Sequence, residues 1–322
     1  MPAASAPRPG SVVTITPAPA VDLTYHVDTL RPGEIHRAGA TSVEFAGKGV
    51  NVTANLTVGG VDSRAVVPLP LEDMSLAEAD PRIVASACAG VLRRNVTVID
   101  RAGHTTKINQ SATPLSEREW DGLIDAALAE VRVLDAEWLL ISGRIPEVHG
   151  GVDDYLPMLR ERLRPDTSIA VDTSGEIVGP WWASGVIDCI KPNVSELAEA
   201  TQQELHTLGD VVDAAEKLQR GGIRIVAVSL GADGFLVVDA QQTVWAVSER
   251  IDVVNTIGAG DASLAGLLHG LVSAVSIAEA ARRAAEWGAL NAMQPTSQLS
   301  ALAPTVSVDL REVDRDHPVI AD

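Results

Sequence analysis

The strongest candidate for a chemical site is a glycine turn late in the chain, where residues 255–261 read NTIGAGD. Two glycines around Ala259 let the backbone pass close to a ligand, and the helix that follows directs its first free N–H groups toward that ligand. Residues 258–260 are therefore expected to form an anion hole from Gly258, Ala259 and Gly260. Asp261 would lie beside the anion, where a carboxylate can accept a proton from an attacking hydroxyl. The alternative is an ordinary acidic residue that stabilises the start of its own helix.

Two better-known phosphate-binding loops are excluded by inspection. A Walker loop needs a Ser or Thr directly after its Gly-Lys pair and a glycine five residues before that pair, but Gly49 follows Lys48 and position 42 is Ser42. A dinucleotide fingerprint needs a third glycine where Ser263 stands, and it normally follows the first strand of a βαβ unit. Neither pattern fits this chain.

A second candidate site opens a predicted helix that runs through Leu56, and it reads GKGVN from Gly47 to Asn51. The glycines let the backbone approach a polar ligand while the Lys48 ammonium binds an anionic group. The Asn51 amide can donate to hydroxyls and accept from them. A sugar phosphate would suit these residues, and a plain turn with an exposed lysine is the alternative.

A third candidate follows a predicted buried strand and reads KPNVSE from Lys191 to Glu196. Pro192 suits the start of a helix, and Asn193 and Glu196 share one face of its first turn. An amide and a carboxylate there can hold the water shell of Mg²⁺. The same pair can form a capping box, and the two interpretations are compatible.

Four shorter polar stretches follow predicted strands: Asp22, residues 142–146 (SGRIP), residues 172–175 (DTSG) and residues 229–234 (SLGADG). Ligands of open α/β sheets bind beyond the carboxyl ends of the strands. Each stretch alone is typical of a turn. The seven histidines show no metal-ligand spacing and accompany no serine nucleophile motif, so hydrolase and zinc functions find little support.

A regular alternation of helices and strands would position these candidates. After a short strand at 12–16, a helix with an apolar stripe from Leu123 to Leu134 precedes the apolar run 138–141. The alternation continues with helix 152–164, strands 168–171 and 187–190, helices 193–202 and 209–220, and strand 225–229. It predicts a parallel sheet covered on both faces.

The remaining segments complete a doubly wound α/β domain. Strands near 235–239 and 244–247 predict an antiparallel sheet edge, and helices follow from about 259 and over 276–293. We expect one domain over residues 11–302, with a small β lid built from about 23–45 and 91–110. Residues 1–10 and 303–322 are expected to be tails, the second trailing over the surface.

Composition excludes several classes of function. The 322 residues are 46% apolar and 21% charged, which supports a large core, and 43 acidic against 25 basic residues give a net charge of −18. Such a charge repels a polyanion, so no nucleic-acid partner is expected. Cys88 and Cys189 form no disulfide framework and fit a reducing cytoplasm. Because no apolar run reaches about 18 residues and the first ten lack a signal-peptide centre, we expect a cytoplasmic protein with no membrane partner.

Taken together, the motifs resemble the PfkB (ribokinase-like) carbohydrate kinases, and within them the 1-phosphofructokinase and tagatose-6-phosphate kinase branch. NTIGAGD is similar to the second signature of that family, and GKGVN to the first in its phosphosugar form. KPNVSE resembles the magnesium-associated motif. The resemblance covers residues 11–300. It implies a ribokinase-like three-layer α/β/α domain with a mostly parallel central sheet and a small β-sheet lid, and Mg²⁺-dependent phosphoryl transfer from ATP.

The resemblance also implies roles for individual residues. Asp261 would be the catalytic base, with the backbone of residues 258–260 as the anion hole. The substrate-binding residues would be Asp22, Gly47, Lys48, Asn51, Arg93, Asn109 and Arg144. The ATP-binding residues would be Lys191, Asn193, Ser229, Gly231, Gly234 and Asn291. Mg²⁺ would be held, through water, by Asn193 and Glu196.

The implied acceptor is a ketohexose phosphate, with fructose 1-phosphate giving fructose 1,6-bisphosphate as the first choice. Tagatose 6-phosphate, another sugar or a nucleoside is the alternative acceptor, and a non-catalytic sugar-phosphate sensor is an alternative of a different class. The chain departs from the family pattern on the sugar side, at Ala18, residues 66–72, Gln110 and Arg144. Arg144 is either an additional phosphate ligand or a bulky group that closes the pocket. A homodimer through the lid would cover apolar residues there.

Overall fold

The central sheet and the lid sheet use fourteen strands in the part of the chain that the computed structural model describes, residues 10–152, 155–173 and 178–319. The strands are β1 (Val12–Ile15), β2 (Ala20–Val27), β3 (Ala40–Ala46), β4 (Ser63–Pro70), β5 (Ile83–Cys88), β6 (Arg93–Asp100), β7 (Thr105–Asn109), β8 (Trp138–Ser142), β9 (Ser168–Asp172), β10 (Cys189–Ile190), β11 (Ile225–Ser229), β12 (Phe235–Val238), β13 (Thr243–Ser248) and β14 (Val308–Arg311).

Nine α-helices accompany the strands within the same described ranges. They are α1 (Lys48–Val58), α2 (Ser75–Ala79), α3 (Glu117–Leu134), α4 (Tyr155–Arg162), α5 (Val178–Trp182), α6 (Val194–Thr201), α7 (Leu208–Arg220), α8 (Ala259–Val272) and α9 (Ile277–Ala292). None of these helices is long and apolar enough to cross a membrane. Cys88 and Cys189 are both free thiols.

The central sheet has the order β14-β13-β12-β11-β10-β9-β8-β1-β4-β5. The strands from β11 to β5 run parallel, whereas β11 to β14 pair antiparallel. Alternate residues of β8 enter opposite core clusters: Leu139 and Ile141 pack with α3, α4, α6 and α7, and Trp138 and Leu140 pack with α1, α8 and α9. The predicted three-layer α/β/α architecture is therefore confirmed, and the two helical layers enclose a buried sheet.

The lid is a second sheet of four strands in the order β3-β2-β6-β7. Register places Leu23 opposite Val43 and Val96, and Val96 opposite Ile108, so that one face carries an apolar row across all four strands. Directly opposed residues share a face and successive residues alternate, so the next row lies on the other face. That second row is polar and consists of Glu44, Asp22, Asn95 and Asn109.

The expectation that residues 303–322 trail over the surface is wrong for the part that the structure describes, up to residue 319. β14 pairs antiparallel with β13, which would otherwise be an edge strand with unpaired backbone groups. Val308 and Val319 are buried in the two core clusters. This segment therefore belongs to the folded domain, because it closes the sheet edge and adds apolar area to both helical layers.

Candidate active site

The predicted site residues gather where the parallel strands end. Asp172 is the last residue of β9, Lys191 follows β10, and Ser229 ends β11. Lys48 and Asp261 lie in the first turns of α1 and α8, which bring the helix N-termini to the same edge of the sheet. The glycine turn, the GKGVN segment and the KPNVSE segment, which are far apart in sequence, thus form one site.

The glycine turn requires glycine at its first position. Gly258 caps α8 with φ +83°, and a Cβ atom there would lie 2.1 Å from the Ser297 carbonyl oxygen. A Cβ on Gly260 would lie 3.5 Å from Lys191 Nζ, so the turn is next to that ammonium. Of the predicted anion-hole amides, the Ala259 N–H donates to the Thr256 carbonyl at 3.3 Å. The anion hole itself stays a prediction.

Asp261 is buried, with 8% of its surface exposed, and its Oδ2 accepts a hydrogen bond from Asn51 Nδ2 at 2.8 Å. Burial is the main cause that raises the pKa of Asp261 to about 6. The charge of Asp172 raises this pKa further, whereas Lys48, the Asn51 hydrogen bond and Lys191 lower it. The carboxylate is therefore ionised at neutral pH yet close enough to its pKa to accept a proton, as a general base must.

Asp172 lies between the two lysines of the site. Its Oδ1 is 3.2 Å from Lys48 Nζ and 3.7 Å from Lys191 Nζ, and its Oδ2 accepts from Ser142 Oγ at 3.3 Å. Burial alone would raise the pKa of Asp172, but the charges of Lys191 and Lys48 and the two hydrogen bonds hold it below its ordinary value. Asp172, Lys48 and Lys191 form what we call the ionic cluster.

The sequence marks Asp172 only as part of a polar stretch after a strand, and not as a site residue. Thr173 of that stretch is buried beside it, and Ser174 and Gly175 lie outside the described residues. The pKa of Lys48 shows how strongly the cluster holds charge: burial of the ammonium opposes protonation, but Asp172, Glu196 and Asp261 outweigh it and raise the pKa.

The Asn193–Glu196 pair forms the capping box. Glu196 N–H donates to Asn193 Oδ1 at 2.7 Å, and Asn193 N–H donates to Glu196 Oε2 at 3.0 Å. The role of this pair in holding Mg²⁺ stays a prediction. Within the described ranges, no group of three or more His, Cys, Asp or Glu side chains is placed to hold a metal ion.

The predicted nucleotide segments adjoin one another. Asn193 bridges to Ser229, whose N–H donates to the Pro192 carbonyl at 3.1 Å. Gly231 and Gly234 bound the next turn with φ values of +59° and +97°. Asn291 differs: it is fully buried with both amide atoms unpartnered among the described residues, so ATP could contact it only if the residues around it moved.

The sugar-side residues lie on the polar face of the lid and beside it. Asp22 accepts from Asn95 Nδ2 at 2.9 Å, and Asn109 pairs with Asn95 in the next strand. Burial is the main cause that lowers the pKa of Arg93; the charge of Arg144 adds to this, and Asp22 opposes it. The two guanidinium groups are thus close enough to repel each other, and an anion bound between them would offset this repulsion.

The backbone carbonyl of residue 18 and the side chain of Gln110, at two positions that depart from the family pattern, each accept hydrogen bonds from lid residues. The Ala18 carbonyl accepts from Arg93 Nε at 3.2 Å and from Arg93 Nη2 at 3.0 Å. Gln110 Oε1 accepts from the Arg94 N–H at 3.0 Å. These contacts hold Arg93 and the end of β7 in place, and they leave the choice of acceptor open.

Several known kinases are similar to this chain. A profile described as pfkB family carbohydrate kinase matches residues 181–304. A 1-phosphofructokinase of Rhodobacter capsulatus is 30% identical over 92% of this chain and 97% of its own length, and one of Haloferax volcanii is 32% identical over 94% and 95%. The crystal structure of phosphofructokinase-2 from Escherichia coli in complex with potassium has a TM-score of 0.82 at 25% identity, and the match covers 91% of this chain and 96% of that one.

Proposed function

The chain belongs to the pfkB family of carbohydrate kinases, and from this premise we propose that its ATP-dependent activity phosphorylates fructose 1-phosphate to fructose 1,6-bisphosphate. Relatives named 1-phosphofructokinase support this acceptor, since they match over nearly the whole length of this chain and of their own. Because the reaction consumes ATP, we place it in the cytoplasm.

One observation carries the proposal: buried Asp261, with a pKa of about 6, lies directly after the glycine turn, beside Asn51 and the ionic cluster. Asp261 would accept the proton of the C6 hydroxyl while the bond from O6 to the γ-phosphorus forms and the bond to the ADP oxygen breaks. Such a transfer depends mainly on positioning and on neutralising charge. Lys48 and Lys191 supply fixed positive charge in a protein whose net charge is −18.

The acidic and amide side chains near the cleft fit the predicted magnesium role by their chemistry. Asn193 and Glu196 offer oxygen ligands, which Mg²⁺ prefers. Mg²⁺, when bound, neutralises charge on the triphosphate. Glu196 already acts electrostatically on Lys48. The same carboxylate would therefore serve both the metal and the ammonium group.

On the sugar side, Arg93 and Arg144 would hold the 1-phosphate of the acceptor. Asp22 and Asn109, on the polar face of the lid, would bind the sugar hydroxyls. Arg144 is exposed, so it can reach a phosphate at the cleft mouth. Of the two alternatives for Arg144, a phosphate ligand or a group that closes the pocket, we thus propose the ligand.

An acceptor panel tests the function. ADP release is measured with Mg²⁺ and ATP against fructose 1-phosphate, fructose 6-phosphate, tagatose 6-phosphate and fructose. We expect the highest kcat/KM with fructose 1-phosphate. A higher value with another phosphorylated sugar would replace the acceptor but keep the reaction. ATP binding without turnover of any acceptor would refute the kinase and favour the sugar-phosphate sensor.

We also propose that two copies of the chain associate through the apolar face of the lid. Val43 and Ile108, which are 68% and 64% exposed, lie in the apolar row that crosses the lid. Exposed apolar rows on a sheet are typical of association surfaces. Light scattering should give twice the chain mass for the wild type and the chain mass for a Val43→Glu variant. A monomeric wild type would contradict this proposal.

A further inference from the structure

A glutamine in the loop after α9 contacts the site indirectly. Gln298 Nε2 donates to Asn51 Oδ1 at 3.2 Å, and Asn51 Nδ2 donates to Asp261 Oδ2 at 2.8 Å. We propose that Gln298 is a positioning residue, which fixes the orientation of the Asn51 amide so that its N–H₂ group faces the base. The inference rests on the proposed function, in which Asp261 accepts the proton.

Gln298 adds to the preference that the Asp261 carboxylate already imposes on the Asn51 amide, whose two ends have nearly the same shape and opposite hydrogen-bonding character. If the amide turned over, its oxygen would point toward Asp261, and the carboxylate would lose a hydrogen-bond donor. The partial negative charge of that oxygen would then repel the charge of the carboxylate. Asn51 is only 5% exposed, so bulk water is not available to replace a missing partner. The donor from Gln298 to Asn51 Oδ1 favours the productive orientation.

The loop that carries Gln298 is held on both sides. Leu299 N–H donates to Asn55 Oδ1 at 2.8 Å, which ties the loop to α1, the helix that also carries Asn51. Ser297 Oγ donates to Glu44 Oε2 at 3.0 Å, which ties it to lid strand β3. The two anchors set the distance between Gln298 and Asn51, so the hydrogen bond is built into the fold.

Other charged groups act on Asp261 from separate elements: Lys48 from α1, Asp172 from the end of β9 and Lys191 after β10. Replacing Gln298 with methionine keeps the length of the side chain, removes its donor and leaves these three charges in place. The substitution therefore isolates the effect of the Asn51 orientation.

The matched control is Gln294 in the same segment. Its Nε2 donates to the Leu290 carbonyl, and its Oε1 accepts from Ser300 N–H and Oγ. A Gln294→Met variant therefore loses comparable hydrogen bonds in the same loop without touching Asn51. A general loosening of the loop would affect both variants.

The test is the pKa of Asp261, measured by ¹³C NMR titration of the aspartate carboxyl carbons and assigned by the signal that is missing in Asp261→Asn. Losing a well-placed donor should raise this pKa by about 0.5 to 1 in Gln298→Met and leave it unchanged in Gln294→Met. The acidic limb of the kcat–pH profile should move to higher pH by the same amount, with KM for ATP unchanged.

An unchanged pKa in Gln298→Met, or equal shifts in both variants, would overturn the proposal. If Gln298→Met does not fold, Gln298→Leu replaces it, with Gln294→Leu as the control; leucine also lacks a donor and adds no charge, so the same upward shift is expected. The titration needs no turnover. A chain inactive in the acceptor panel would therefore refute the proposed function and still leave the role of Gln298 decided by NMR.

Discussion

Neutralising Asp172 should destabilise the protein more than any change at a surface ion pair. In Asp172→Asn, two ammonium groups that now lie 3.2 and 3.7 Å from one carboxylate oxygen lose their counter-charge and face each other. Removing one partner of a buried pair typically costs about 3–5 kcal/mol. Lys48 is 35% exposed and can turn toward water, whereas Lys191 is 5% exposed and cannot. We therefore expect a loss of about 3 kcal/mol, mainly through Lys191.

Urea denaturation at pH 8 measures this loss. Asp213→Asn is the matched control, because it breaks the ion pair of Asp213 with Arg315, both more than half exposed, and should cost far less than Asp172→Asn. Asp172→Asn should also move the acidic limb of the kcat–pH profile to lower pH, since the charge of Asp172 raises the pKa of Asp261. Losses of equal size in the two variants, with an unmoved limb, would refute the ionic cluster as a buried charge network.

Three further variants test the site. Asp261→Asn should lower kcat by about 10²–10⁴ with ATP affinity unchanged by calorimetry. Burial raises the folded-state pKa of Asp261 to about 6, so the ionised carboxylate destabilises the folded protein at pH values above the unfolded-state pKa. The same variant should therefore unfold at a higher urea concentration at pH 8. Glu196→Gln should keep the capping box, which accepts either residue, but raise the Mg²⁺ concentration that gives half the maximal rate about tenfold. Equal Mg²⁺ dependence in the two proteins would show that Glu196 only caps the helix. Gly258→Ala should lower the melting temperature and kcat together, since the new Cβ would meet the Ser297 carbonyl at positive φ. Wild-type values would contradict the requirement for glycine at this position.

Much of the site could be predicted because its parts are local. A glycine turn before a helix, a lysine between glycines and a proline-led capping box each use residues that are adjacent in sequence, and the structure brings all three to one edge of the sheet. The alternation of apolar strands and amphipathic helices is also a local pattern, and it predicts the helical layers on both faces of the sheet.

The parts that escaped prediction depend on distant partners. Asp172 has no neighbour in sequence that marks it, because Lys48 lies 124 positions away and the pairing exists only after the sheet forms. Gln298 likewise meets Asn51 across 247 positions. A polar residue after a strand is common, and sequence alone does not show which of several lies between two ammonium groups.

Strand β4 was missed for a different reason. It contains Pro68 and Pro70, which ordinarily argue against a strand inside a sheet. The structure accommodates them because β4 pairs with β1 only over residues 63–66, and beyond Val66 it pairs with β5 alone. The prolines therefore lie where one side of the strand needs no backbone donor.

The two faces of the lid leave its strands no tolerance for slippage. Along β2, Asp22 belongs to the polar row and Leu23 to the apolar row, so deleting Val21 would move the β2 residues on one side of the deletion to the opposite face. The proposed sugar binding and the proposed self-association would then both be lost through a single deletion. Natural length variation in this sheet should accordingly be confined to its connecting loops.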